Sequence, residues 1–154
     1  MGKINRFEDI IAWQKSRELN KLIYQATLAL PFAKDFALVN QIRKSSISVL
    51  SNIAEGFERK GIQEFIHFLN IAKASNAELR SQLYAASDLE YITIELGNEL
   101  ISKATEISKM ISGLIKYLEG SKSDGYRFHE PEVEYGDQKL AQQLFNFQTL
   151  QHSN

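Results

Sequence analysis

The chain has 154 residues, enough for one domain with a sizeable core. Apolar residues make up 44% and charged residues 24%, ordinary for a globular protein, and a formal charge of −1 exerts no global pull on nucleic acid or an anionic membrane. There is no cysteine, which excludes disulfides, thiol catalysis and cysteine-based zinc sites.

The opening stretch, MGKINRFEDIIAWQK, has no signal-peptide core, and no apolar run approaches the ~18 residues of a membrane span. The expectation is a cytoplasmic protein with no membrane partner. Charge is uneven along the chain. Residues 1–60 carry a balance of +4, residues 61–119 of −3 and residues 120–154 of −2.

Four stripes of apolar and small residues alternate steps of three and four, as the amphipathic helices of a bundle require. The first is Ala12, Ser16, Leu19, Ile23, Ala26, Leu30. It stops at Leu30-Pro31, because the residue before a proline avoids the α region. Trp13, behind Ile10 and Ile11, adds apolar surface to this helix and reads as a subunit contact. The second stripe is Val39, Ile42, Ser46, Val49, Ile53, then Gly56 or Phe57, with Asp35 as its N-cap. Lys60 suits the end of that helix, Gly61 serves as the hinge, and Glu64 helps cap the next helix.

The third stripe is Phe65, Phe68, Ala72, Ser75, Leu79, Gln82, Ala86, Leu89. This helix opens with more apolar residues than one stripe can use, including Ile62, Ile66, Leu69 and Ile71, and the surplus predicts a homo-oligomer. Thr93 caps the fourth helix, whose stripe is Leu100, Ala104, Ile107, Ile111, Leu114, Leu118. The joints are short, so the expected fold is all-α, an up-down-up-down antiparallel four-helix bundle over residues 1–119. Residues 120–154 read as an acidic linker with a short C-terminal helical pattern through Leu140, Leu144, Phe147 and Leu150. That pattern either docks on its own bundle or binds a partner.

Helix 2 carries Ser45, Ser46, Ser48 and Ser51, and helix 3 carries AKASNA at residues 72–77. Small residues facing small residues let two backbones approach closely. With the turn centred near residue 60, position 46 faces about position 74 and Arg43 lies level with Glu78, which predicts an Arg43–Glu78 pair. Glu55 and Arg59 stand at i,i+4 in the favourable order.

Candidate chemistry is sparse. Glu64 and His67 form an E-x-x-H, the spacing of di-iron bundles, but His67 is the sole histidine of the four helices and the reading is a surface pair. No catalytic constellation, metal site or cofactor is expected, so the chain does not read as an enzyme. Lys3, Arg6, Lys15, Arg17 and Lys21, then Lys34, Arg43, Lys44, Arg59 and Lys60, are interleaved with acids and show no aromatic stacking platform. They read as a solvated face unless oligomerisation aligns them into a ring or groove.

The segments FEDIIAWQKS, LPFAKDFALVNQIRKSSISVLSNIAEGFERKG, EFIHFLNIAKASNAELRSQLYAASDLEYI and ISKMISGLIKYL come in that order. Together they resemble the four-helix bundle family encoded within intervening sequences of bacterial 23S rRNA genes. The resemblance spans about residues 7–118 and is most specific at Gln41-Ile42-Arg43, at Ser51 to Gly56 and at Arg59. It implies a left-handed bundle that assembles as a homopentamer, and it implies no established activity. Trp13, Gln41, Arg43, Asn52, Glu55, Gly56, Arg59 and Glu78 are the candidate structural or interface residues. The functional expectation is a non-enzymatic oligomer associated with RNA, DNA or a nucleic-acid enzyme. The alternative is a protein-interaction scaffold with no nucleic-acid role, whose C-terminal tail recruits a partner.

Overall fold

A computed structural model describes residues 4–121. The expectations for the acidic linker and for residues 138–151 lie outside the described residues. Four helices form the fold: α1 (Ile11–Leu28), α2 (Phe36–Glu58), α3 (Ile62–Asp88) and α4 (Ile94–Gly120). Single 3-10 turns, Phe7–Asp9 and Phe32–Lys34, precede α1 and α2. There is no strand among the described residues.

Helices α2 and α4 begin where the sequence supplies a side-chain cap, whereas α1 and α3 begin at Ile10 and Gly61 without one. The Asp35 carboxylate accepts from the Leu38 amide at 3.0 Å, and the Thr93 hydroxyl accepts from the Leu96 amide at 3.1 Å. The α2–α3 joint works differently from the sequence expectation. Its left-handed residue is Lys60 (φ 60°), whereas Gly61 is extended (φ −113°) and heads α3 with no side-chain cap from Glu64. The α3–α4 joint also places a residue with a side chain in the left-handed region, Glu90 (φ 58°). There the Glu90 and Tyr91 amides donate to the Ser87 and Ala86 carbonyls at 3.0 Å each, closing α3 as a Schellman turn.

Neighbouring helices pair antiparallel, as cross-helix contacts show. Asn20 bonds Ser46 while Thr27 bonds Arg43, so α1 and α2 run oppositely. Ser48 bonds Ser75 while Ser45 bonds Glu78, which sets α2 against α3. Asn76 bonds the Ala104 carbonyl and Gly97 faces Ser87, which sets α3 against α4. Helix α4 also packs on α1 and closes the bundle.

The core follows the stripes with two corrections. The α4 stripe is buried along its whole length, joined by Met110 and Ile115. In α1, Thr27 holds the last buried position, and Leu30, beyond the helix, is 69% exposed. In α3 the expected Phe65, Ala72, Ser75, Leu79 and Ala86 are buried, but Leu69 and Leu83 take the core positions assigned to Phe68 and Gln82, Asn76 is buried beside Ser75, and Leu89 is exposed. Asn76 is fully buried, and its amide nitrogen donates to Ala104 O at 2.6 Å. A polar side chain with a bond can occupy a core position that apolar counting assigns to its neighbour. Each fully buried Ile or Leu contributes about 1.5–3 kcal/mol.

Asp35 also reaches across the bundle. While one carboxylate oxygen caps α2, the other accepts from the Tyr91 hydroxyl at 3.0 Å, and Tyr91 stacks on Phe32 with ring centroids 5.0 Å apart. This hydrogen bond to Asp35, aided by burial and by the carboxylate charge, raises the Tyr91 pKa above its ordinary 10.0. A raised folded-state value means that the stabilisation is full below pH ~10 and is lost as pH rises through the folded value. Tyr91→Phe is therefore expected to lower the melting temperature at pH 8, and the gap between the two proteins is expected to close above pH 10. Thermal melts at pH 8, 9, 10 and 11 measure this; a gap constant with pH contradicts the assignment.

Candidate interaction surface

The residues that carry the sequence motif are gathered on one edge of α2. Gln41, Ser48, Asn52, Glu55 and Arg59 follow one another at steps of seven, four, three and four, and so share the edge beside α3. Gln41 is exposed. The Asn52 amide donates to the Ser48 carbonyl at 2.8 Å and to its hydroxyl at 3.0 Å. The Ser48 and Ser75 hydroxyls lie 2.8 Å apart. Arg59 donates to Glu55 at 2.9 Å and lies over the Phe68 ring, its guanidinium carbon 5.3 Å from the ring centre. Hydrogen bonding to Glu55, with the charge of that carboxylate, raises the pKa of Arg59 further.

Gly56 is the buried member of this edge. A Cβ there would lie 2.7 Å from Phe68 Cβ and 2.9 Å from Phe65 Cδ2. Only glycine allows that approach.

The expected Arg43–Glu78 pair does not form. The Glu78 carboxylate accepts from the Ser45 hydroxyl at 3.3 Å, and Arg43 turns to the other side of α2. Side chains on both helices lean towards their own N-termini. Facing positions are therefore displaced by about one residue on each helix from a count centred on the turn, and Ser48 faces Ser75 where the count placed Ser46 near position 74.

Arg43 instead belongs to the α1–α2 seam. Its Nε donates to the Thr27 hydroxyl at 2.8 Å, and its guanidinium carbon sits 4.5 Å from the Tyr24 ring centre. The buried Thr27 hydroxyl has the Ile23 and Tyr24 carbonyls, at 2.9 and 3.1 Å, as acceptors for its own proton. A second cation–aromatic pair lies along the same edge of α1, where the Arg17 guanidinium carbon is 5.6 Å from the Trp13 ring centre. Trp13 also packs edge-on against Phe7 at 5.2 Å, so the chain's own N-terminal turn supplies part of its cover. The sequence reading missed this line of stacked cations. Trp13 and Arg17 stand at i,i+4 and could have been found; Tyr24 and Arg43 meet only across two helices.

The seam borders an open depression of about 590 Å³ on the outer face of α2, lined by Tyr24, Arg43, Lys44, Ile47, Ser51 and Asn52 among others. Between Asp35 and Glu55, α2 carries no charged residue except Arg43 and Lys44. On α1 the exposed Arg17 and Lys21 add to this side, and Glu18 is paired with Lys15 at 3.1 Å.

Other surfaces are chemically plainer. His67 is exposed and packs edge-on against Phe68 at 5.5 Å. Among the described residues no group of three or more His, Asp or Glu could hold a metal ion, and no helix is long and apolar enough to cross a membrane. Of the surplus apolar residues of α3, Leu69 is fully buried and Ile62 and Ile66 pack half-covered against the core. The exposed large apolar residues collect elsewhere, at the end of the bundle where α1 and α3 finish. Leu28, Leu30, Phe36, Leu89 and Ile94 there are between 53 and 79% exposed.

The sequence profile of the 23S rRNA-intervening sequence protein family matches residues 8–113. The chain belongs to this family. Among solved structures, it is similar to a protein of unknown function from the S23 ribosomal protein family of Bacteroides thetaiotaomicron. The two are 30% identical, the match covers 69% of this chain and 99% of the other, and the TM-score is 0.65. No curated protein matches the chain significantly.

Gly56 tests the packing on which this edge rests. Gly56→Ala improves helix propensity by up to about 1 kcal/mol, but overpacking against Phe65 and Phe68 is worth about 1–3 kcal/mol. Net destabilisation is expected in urea unfolding. Gly120→Ala, with nothing within 4 Å, is expected to be neutral or slightly stabilising. Equal effects of the two would show that the close approach does not constrain the fold.

Proposed function

We propose that this protein is a non-enzymatic, cytoplasmic homo-oligomer that binds nucleic acid through its α1–α2 face. The observation that carries the reading is the segregation of charge. The middle of α2 has two cations and no acid, the neighbouring edge of α1 adds Arg17 and Lys21, and two of these four cations are stacked on aromatic rings. Held guanidinium groups beside free ammonium groups suit a sugar–phosphate backbone. Membership of a family named for rRNA intervening sequences agrees with such a partner.

Assembly is supported by the apolar end around Phe36 and Ile94, which is too exposed for a stable solitary bundle surface to explain easily. The resemblance drawn from the motifs implies five copies. Light scattering is expected to give five times the 17.6 kDa chain mass, and a 17.6 kDa particle would overturn the assembly.

Nucleic-acid binding predicts a strong salt dependence. Four phosphate contacts per chain, from Arg17, Lys21, Arg43 and Lys44, give a slope near −3 in the log of the association constant against log salt, so affinity for an oligoribonucleotide should fall about 50- to 150-fold between 50 and 200 mM salt. Filter binding measures this; no binding at 50 mM salt overturns the nucleic-acid role. Lys21→Met should reduce the slope by about one.

A further inference from the structure

Arg43 is held in place, yet nothing in the described fold neutralises it. Its Nε is spent on Thr27 and one face of its guanidinium is covered by Tyr24. No carboxylate pairs with it: Asp35 is engaged by Leu38 and Tyr91, and Glu78 by Ser45. A half-buried arginine with a fixed plane and terminal amino groups free of any acid is pre-organised for an oxyanion, because little rotamer freedom remains to be lost on binding.

The depression beside it supplies matching groups. Lys44 is exposed one residue on, and the exposed Ser51 stands two helical turns further along the same lining. Ile47, 41% exposed, lines the depression between them and offers apolar surface. At about 590 Å³ the depression is within the range of small-ligand sites, about 300–1,000 Å³.

We infer that this depression is a binding site for one nucleotide unit, with Arg43 as the fork that grips the phosphate, Lys44 as the second charge and Ser51, eight residues and ~12 Å along the helix, as a neutral donor to the rest of the nucleotide. The inference deepens the nucleic-acid reading and rests on it for the source of the phosphate, which is either a strand backbone or a free nucleotide. A guanidinium can present two parallel N–H groups to two phosphate oxygens, whereas an ammonium acts as a point charge. Arg43→Lys thus keeps the charge and removes the grip.

The experiment measures an oligoribonucleotide, a nucleoside monophosphate and inorganic phosphate against four full-length proteins: unmodified, Arg43→Lys, Ser51→Asp and Ser51→Ala. Arg43→Lys is expected to weaken oligonucleotide binding at least tenfold with the salt slope unchanged. Ser51→Asp, at an exposed position, is expected to abolish binding, and Ser51→Ala to cost less than threefold. Oligonucleotide binding that is indifferent to both Arg43→Lys and Ser51→Asp overturns this site while leaving the broader nucleic-acid role standing. Binding of the monophosphate, weakened in both Arg43→Lys and Ser51→Asp, with no oligonucleotide binding, supports the site and overturns the nucleic-acid role. No binding of any probe overturns both. A changed assembly mass in Ser51→Asp assigns this face to contacts between copies and also overturns the site.

Discussion

At Gly56 the backbone of α2 meets the side chains of Phe65 and Phe68 at distances that no residue with a Cβ would permit. The approach is costly for helix propensity, since glycine loses the most backbone freedom on folding. Much else follows from it. With the two helices this close at one end, the serines further along α2 come within hydrogen-bonding distance of α3, and Ser48, Ser75 and Asn52 form a continuous polar line. That line sets the longitudinal register of α2 and α3. The register in turn places Ser45 beside Glu78 and leaves Arg43 to face α1.

Small polar residues are unusual material for a core, and this bundle tolerates them by local bonding. Ser16 and Thr27 donate to carbonyls one turn back in their own helix, so their hydroxyls enter the interior already satisfied. Ser46 and Asn76 look outwards to other helices, to Asn20 and Ala104. Such bonds add little net stability, but sliding one helix past another would strand them, at about 1–3 kcal/mol for each buried group left unpaired. Apolar residues supply the driving force and these few polar contacts select a single alignment.

The architecture was largely legible in the residues because hydrophobic spacing is an averaged signal. The α4 stripe and the Asp35 and Thr93 caps stand where the sequence places them. The failures have local causes. In α3 the expected line holds at Phe65, Ala72, Ser75, Leu79 and Ala86 and fails at Phe68, Gln82 and Leu89, while the buried Asn76 mimics a surface residue in any apolar count. The Arg43–Glu78 pair failed because side-chain lean, invisible in a linear register, shifts facing positions. The hinge was assigned to Gly61, yet Lys60 takes the left-handed conformation and glycine the ordinary one. The candidate site was the least legible part. Gln41, Asn52, Glu55 and Arg59 share an edge readable from spacing, but the Tyr24–Arg43–Thr27 arrangement needs two helices in register before it exists.

The Asp35 carboxylate touches two halves of the chain that, among the described residues, have no other polar link at that end. One oxygen holds the first turn of α2, and the other holds Tyr91 in the joint between α3 and α4. Each half is an antiparallel helix pair dominated by contacts local in the chain. Sharing one acceptor ties the fraying of the α2 start to the opening of the distant joint. The bundle thus gains cooperativity at the end where its apolar residues are most exposed, and partial unfolding that would bare Leu28, Phe36, Leu89 and Ile94 still further becomes a joint event of both hairpins.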